Sequence, residues 1–226
     1  METKDDYMPN LTINDLKIEA IAFCKNTSKE KIPEMYGVTD GKAVGTFIEH
    51  RFQDYLKQKY NYVQGNSAKG IDMPSEDINV DIKVTSVSQP QSSCPFRDAK
   101  QKIYGLGYNL LLLVYDKSDK SNGAGKHSTL NFVSCAFISK ERTGDYQMTK
   151  LILDALKNKN NKDDLIAIFE DRNLPGDEIT YNELAEEILK SPPKQGYLTI
   201  SNALQWRLQY GRIVAMSSID GVEKLL

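Results

Sequence analysis

Histidine and cysteine are scarce in this chain: its 226 residues include two His and three Cys. His50 and His127 have no partner at a convincing spacing, which argues against a Ser-His-Asp hydrolase. Cys24, Cys94 and Cys135 are odd in number and lack the short paired spacing of a zinc site or disulfide framework, so reduced thiols are expected. No run approaches the roughly 18 consecutive apolar residues of a membrane span, and the polar residues 1–10 lack the apolar stretch of a signal peptide. A cytoplasmic protein without membrane contact is the expectation. Gly105-Leu106-Gly107 lacks the strand-to-helix setting of a phosphate loop, so no organic cofactor is expected. An excess of basic charge is missing too. With 29 Lys and Arg against 31 Asp and Glu, the formal net charge of -2 disfavours nucleic-acid binding through bulk positive charge, yet basic residues can still gather on one face.

What is present suffices for a folded protein. A hydrophobic content of 40%, with 12 Tyr and 7 Phe, supports one elaborated domain over residues 1–226, with a core at about 41–140 and a helical part at about 141–226. Helical apolar spacing marks residues 11–25, with Asn10 or Thr12 as cap, and 41–60. Residues 79–86 alternate with period two, as a strand does, and a short strand over 69–73 ends at Pro74. A helix over 98–106 precedes strands at 109–115 and 129–139, joined by a polar loop over 116–128. Helices are expected over 146–157, 163–171, 181–190 and 200–210, with a solvated connection over 157–164. This order gives a mixed α+β (α/β) fold, a central mixed sheet flanked by helices.

The strand at 79–86 carries the chemistry. Val80, Ile82 and Val84 share one face, and Asp81, Lys83 and Thr85 the other. Nine positions before Asp81, Asp72 stands on a segment able to pair with that strand. Two converging carboxylates suit a hard Mg²⁺ ion, whose shell is completed by waters and phosphate oxygens. Lys83, about 6–7 Å along the strand from Asp81, can reach a water or phosphate oxygen beside it. The plain alternative is a solvated strand face carrying a cross-strand charge pair.

Asp72 followed by Asp81-Ile82-Lys83 resembles the signature of the PD-(D/E)XK nucleases, written here ID…DIK. Ile71 stands where the signature has proline, and Pro74 follows the acid instead. The resemblance spans roughly residues 41–115 and is most like that of a type II restriction endonuclease. It implies a restriction-endonuclease-like core and catalytic roles for Asp72, Asp81 and Lys83. The two aspartates would be metal ligands, and the lysine would position or activate the attacking water. It further implies that Glu49 is an added ligand, against the alternative of a solvated helix residue, and that Gln101 is a polar group near the site or facing DNA. The implied cofactor is Mg²⁺, the substrate double-stranded DNA, and the assembly a homodimer.

Two further stretches are rich in side chains that contact DNA. Residues 86–96 contain Gln89, Gln91, Ser92 and Ser93, suited to phosphates or base edges, or else they form a polar connecting loop. Residues 201–212 contain Asn202, Gln205, Arg207, Gln209 and Arg212, which suit guanine, adenine or phosphate, while Leu204, Trp206 and Leu208 suit a core. The sequence leaves open a structure-selective repair nuclease or junction resolvase, and a DNA-binding module without catalysis.

Overall fold

The computed structural model describes residues 8–65, 70–94, 98–123, 125–201 and 206–226. Its contacts divide the chain into two units. The first comprises Met1–Gln89, Leu111–Phe137 and Lys224–Leu226, and the second Pro90–Leu110 and Ile138–Glu223.

The first unit opens with helix α1 (Ile13–Thr27). Thr12 caps it and Asp15 returns a bond to the cap, so two otherwise unpaired N–H groups are satisfied reciprocally. Helix α2 (Gly41–Lys57) starts at the Asp40 side chain. Strand β1 (Val80–Ser86) belongs with β3 (Asn109–Asn122), β4 (Gly125–Ile138) and β7 (Val222–Lys224) to a mixed sheet of order β1-β3-β4-β7. Leu16 and Phe23 of α1, and Ile48 and Phe52 of α2, close over Ile82, Leu111, Leu113 and Phe132 in one apolar core. Cys24 and Cys135 meet in that core as free, buried thiols, and each other's proximity joins burial in holding Cys24 protonated.

Glu19 ties the two helices together. Its carboxylate accepts from Tyr55 Oη at 2.5 Å, Lys59 Nζ at 2.7 Å and Tyr60 Oη at 3.1 Å. Burial works against its charge, but these donors outweigh burial and hold its pKa below the usual value.

Three expectations change in this unit. Residues 70–73 form no strand: Met73 pairs with Val80 in a single antiparallel bridge, and position 69 lies outside the described residues. Pro74 has no N–H to extend the pairing. The Gly65 N–H instead donates to Asp72 O at 2.7 Å, and a Cβ at Gly65 would fall 1.8 Å from Ile71 O, so only glycine fits. The polar stretch 116–128 is not a loop, because β3 and β4 run through it. Its ladder is reinforced by Ser118 with Thr129 and by Ser128 on Asp119, bonds that apolar periodicity does not register. Helix α2 stops three residues short of position 60.

The second unit holds strand β2 (Gln91–Cys94) and helices α3 (Lys100–Tyr104), α4 (Tyr146–Lys157), α5 (Lys162–Asp171) and α6 (Glu178–Lys190). Strands β5 (Thr199–Ile200) and β6 (Trp206–Gln209) and helix α7 (Gly211–Ala215) follow. Ile103, Met148, Ile152, Phe169 and Ile188 form the core among its helices. A second sheet has the order β2-β6-β5. The helix expected over 200–210 is therefore wrong: Trp206 and Leu208 are buried and Arg207 and Gln209 exposed, the period of a strand. The connecting loop considered for 86–96 contains β2, antiparallel to β6. Helix α3 is shorter than expected and ends at Gly105, with φ 93° and no room for a Cβ.

Replacing Glu19 by alanine is expected to leave two tyrosine hydroxyls and the Lys59 ammonium without their acceptor and to cost about 1–3 kcal/mol. A urea midpoint equal to wild type would reject that role.

Candidate active site

Four of the sequence-selected residues come together in the first unit. Glu49 projects from α2, Asp72 from the segment bridged to the start of β1, and Asp81 and Lys83 from β1 itself. Asp81 is 3% exposed, so this polar face of the strand is not a solvated one. Lys83 Nζ lies 2.7 Å from Asp81 Oδ2. The charges are thus paired, and among the described residues Asp81 Oδ2 has no partner beyond this ion pair. One Asp72 oxygen accepts from the Ile82 N–H at 2.7 Å.

Three carboxylates here face one ammonium. Burial first, then the Asp72 carboxylate, with Asp81 adding less, pushes Glu49 up to about 7 despite the nearby Lys83. Burial also leads for Asp81, which Asp72 helps to push up to about 7 while Lys83 pulls the other way. For Lys83, burial opposes the charge, but Asp81, Asp72 and Glu49 together outweigh it and raise the pKa. The lysine therefore keeps its proton at neutral pH.

Three carboxylates share one ammonium, and Asp81 Oδ2 has no partner beyond Lys83, so the residues present fit a divalent cation. Among the described residues no three His, Cys, Asp or Glu side chains are grouped so as to hold a metal ion by themselves. The fit is thus to an ion held by one or two carboxylates, with water and phosphate oxygens as its other ligands.

Gln53 and Gln64 were not singled out in the sequence. Gln53 is buried, and its Nε2 lies 3.3 Å from Asp72 Oδ1 and 3.5 Å from Glu49 Oε1, while its Oε1 accepts from Gln64 Nε2 at 2.8 Å. The available signal was its spacing, one helical turn after Glu49 on the same face of α2.

The residues selected for DNA contact divide into groups. In the β2-β6 register Gln91 opposes Gln209 and Ser93 opposes Arg207. Ser93, Arg207 and Gln209 are exposed and Gln91 half-buried, and residues directly opposite share a face. Ser92 faces the other way, opposite buried Leu208, and its hydroxyl lies 2.5 Å from that of buried Tyr210, so it is used internally. Gln101 is also used locally, donating to Leu106 O at 3.3 Å. Gln89 is exposed beyond the end of β1. Arg212 is exposed on α7, its guanidinium 3.6 Å from the centre of the Tyr146 ring. Asn202 and Gln205 lie outside the described residues.

Raised carboxylate pKa values mean that the folded site binds protons more tightly than the unfolded chain. The stability contributed by Glu49 and Asp81 is full below their ordinary pKa values and is lost as the pH rises through about 7. In metal-free buffer the melting temperature is expected to fall between about pH 5 and about pH 8, and Asp81→Asn to flatten that fall. Thermal melts in EDTA across this range check it, and equal slopes for the two proteins would reject the assignment.

Among the described residues no helix is long and apolar enough to cross a membrane. No solved structure matches the chain. A family model described as "Type II restriction enzyme NspV" matches residues 10–224. The type II restriction enzyme NspV of a Nostoc species is 58% identical over 207 residues, covering 92% of this chain and 92% of that relative. The chain therefore belongs to the NspV family of type II restriction enzymes.

Proposed function

We propose that this enzyme hydrolyses phosphodiester bonds of double-stranded DNA at a short specific site, using Mg²⁺ at the cluster of Glu49, Asp72 and Asp81. The observation that carries the reading is the convergence of these three acids on the single ammonium of Lys83 in one largely buried cluster. Asp72 and Asp81, with Glu49 beside them, would hold the ion, which when bound supplies Lewis acidity and an acidified water. Lys83, held protonated by the surrounding carboxylates, serves as a fixed cation that draws in a phosphate oxygen and balances its growing negative charge. It orients the attacking water and does not deprotonate it. Glu49, pushed up to about 7 by burial and by Asp72 in the metal-free cluster, would give up its proton as the ion binds.

The same reading assigns sequence recognition to the exposed face of β2 and β6. Gln91 with Gln209 and Ser93 with Arg207 present amides, a hydroxyl and a guanidinium on one face of the β2-β6 pair, groups able to bond base edges in the major groove. Arginine suits guanine and glutamine suits adenine through paired hydrogen bonds. Gln89 and Arg212 are assigned to the DNA backbone, and Asn202 and Gln205, between β5 and β6 in the chain, belong to the same proposal. The enzyme acts as a homodimer whose twofold axis matches a palindromic site. It works in the cytoplasm, a placement supported by its three free thiols.

Long duplex DNA incubated with the protein is expected to give discrete fragments in Mg²⁺ and none in EDTA, with cutting reduced to background by Asp72→Asn, Asp81→Asn and Lys83→Ala. Near-normal cutting by either aspartate variant would overturn the site. Arg207→Ala is expected to weaken specific binding by about 1–3 kcal/mol while random-sequence binding changes little. Competition binding against random duplex measures this, and an equal loss on both DNAs would remove Arg207 from base recognition.

A further inference from the structure

Gln53 touches two of the site carboxylates at once. It stands one turn after Glu49 on α2, is 6% exposed, and places Nε2 3.3 Å from Asp72 Oδ1 and 3.5 Å from Glu49 Oε1. Both bonds are long, so neither is strong alone. Their arrangement is informative: one neutral donor spans two groups that repel each other. Asp72 is fixed on its other side by the Ile82 N–H, which leaves Oδ1 to Gln53.

A glutamine amide keeps its outline when its oxygen and nitrogen exchange places, so packing alone does not choose between the two orientations. With the amide reversed, Oε1 would meet the acceptor oxygens of Asp72 and of ionised Glu49. Those acceptors therefore set the Gln53 amide, Gln64 completes the arrangement by donating to Gln53 Oε1 at 2.8 Å, and Tyr62 Oη donates to the Gln53 backbone carbonyl at 3.2 Å. Gln64 is itself exposed.

We propose that Gln53 is a positioning residue of the nuclease centre, holding Glu49 and Asp72 together for a divalent cation, with Gln64 locking its amide. The proposal rests on the metal-dependent reading of the cluster. Without the donor, the two carboxylates separate, and part of the cation's binding free energy goes into bringing them back. Metal affinity then falls while turnover at saturating metal is largely kept. Partners that orient metal ligands in this way typically matter by about 10–100-fold in affinity or activity.

The test uses the full chain with Gln53→Leu, similar in size but without a donor, and Gln64→Ala at the exposed position. Calcium binding without DNA is measured by titration calorimetry, and cleavage is followed as a function of Mg²⁺ concentration. Gln53→Leu is expected to raise the Ca²⁺ dissociation constant and the half-saturating Mg²⁺ by about 10-fold or more, with cleavage at saturating Mg²⁺ near wild type. Gln64→Ala is expected to shift both in the same direction by less. A lower melting temperature with unchanged metal dependence would show a merely structural residue and overturn the proposal. Should Gln53→Leu fail to fold, Gln64→Ala decides, and an unshifted Ca²⁺ affinity there overturns it. Asp81→Asn separates the two readings: if it still cuts, the site itself is wrong, whereas a dead Asp81→Asn beside unshifted glutamine variants removes only the positioning role.

Discussion

Three carboxylates gathered around a single lysine, largely out of water, form the arrangement on which the rest of the first unit depends. Such a group resists folding, because burial disfavours each charge and the acids repel one another. Each neighbouring element reduces that cost at a specific atom. The ammonium of Lys83 sits beside Asp81, the Ile82 N–H holds one oxygen of Asp72, and the Gln53 amide reaches the other. Gly65 lets the chain pass close enough to donate to the backbone of Asp72. What remains uncompensated is a surplus of negative charge, which a divalent cation would balance.

The elements easiest to read in the sequence were those whose apolar period follows burial. Helices α1, α2, α4 and α5 bury one stripe, and β1 alternates in residue type although both its faces are largely buried, so their boundaries came within a few residues. Asp81 and Lys83 were legible for the same reason: an alternating strand places an acid and a base two positions apart on one face. Misreadings fell where apolar content was not the organising signal. Residues 116–128 extend a hairpin through hydroxyls and charges, and 206–209 are too few for period two to stand out beside a helical reading. The pairing of β2 with β6 joins segments more than a hundred positions apart, which no local pattern reports.

Gln53 shows a different limit. From sequence it is one polar residue among several on an amphipathic helix. Its place in the site comes from bonds to Asp72, 19 positions away, and to Gln64, 11 positions away. Glu49 and Gln53 share a helical face, and that spacing offered a hint, but only the fold of the intervening chain gives the pair its target. The same contrast separates Ser92 from Ser93. These adjacent hydroxyls are equivalent by composition, yet the strand turns one toward Tyr210 and the other to the exposed face.

The low net charge, which counted against a DNA enzyme, follows from this division of tasks. The proposed metal-dependent centre needs acids where the scissile phosphate would lie, so such a site itself adds negative charge to the total. In the proposed reading, base recognition falls to neutral amides and one arginine on the β2-β6 face, groups that discriminate through the direction of hydrogen bonds more than through charge. A composition with 29 basic and 31 acidic residues is therefore compatible with both tasks, because each depends on where a few side chains are placed and neither on the sum.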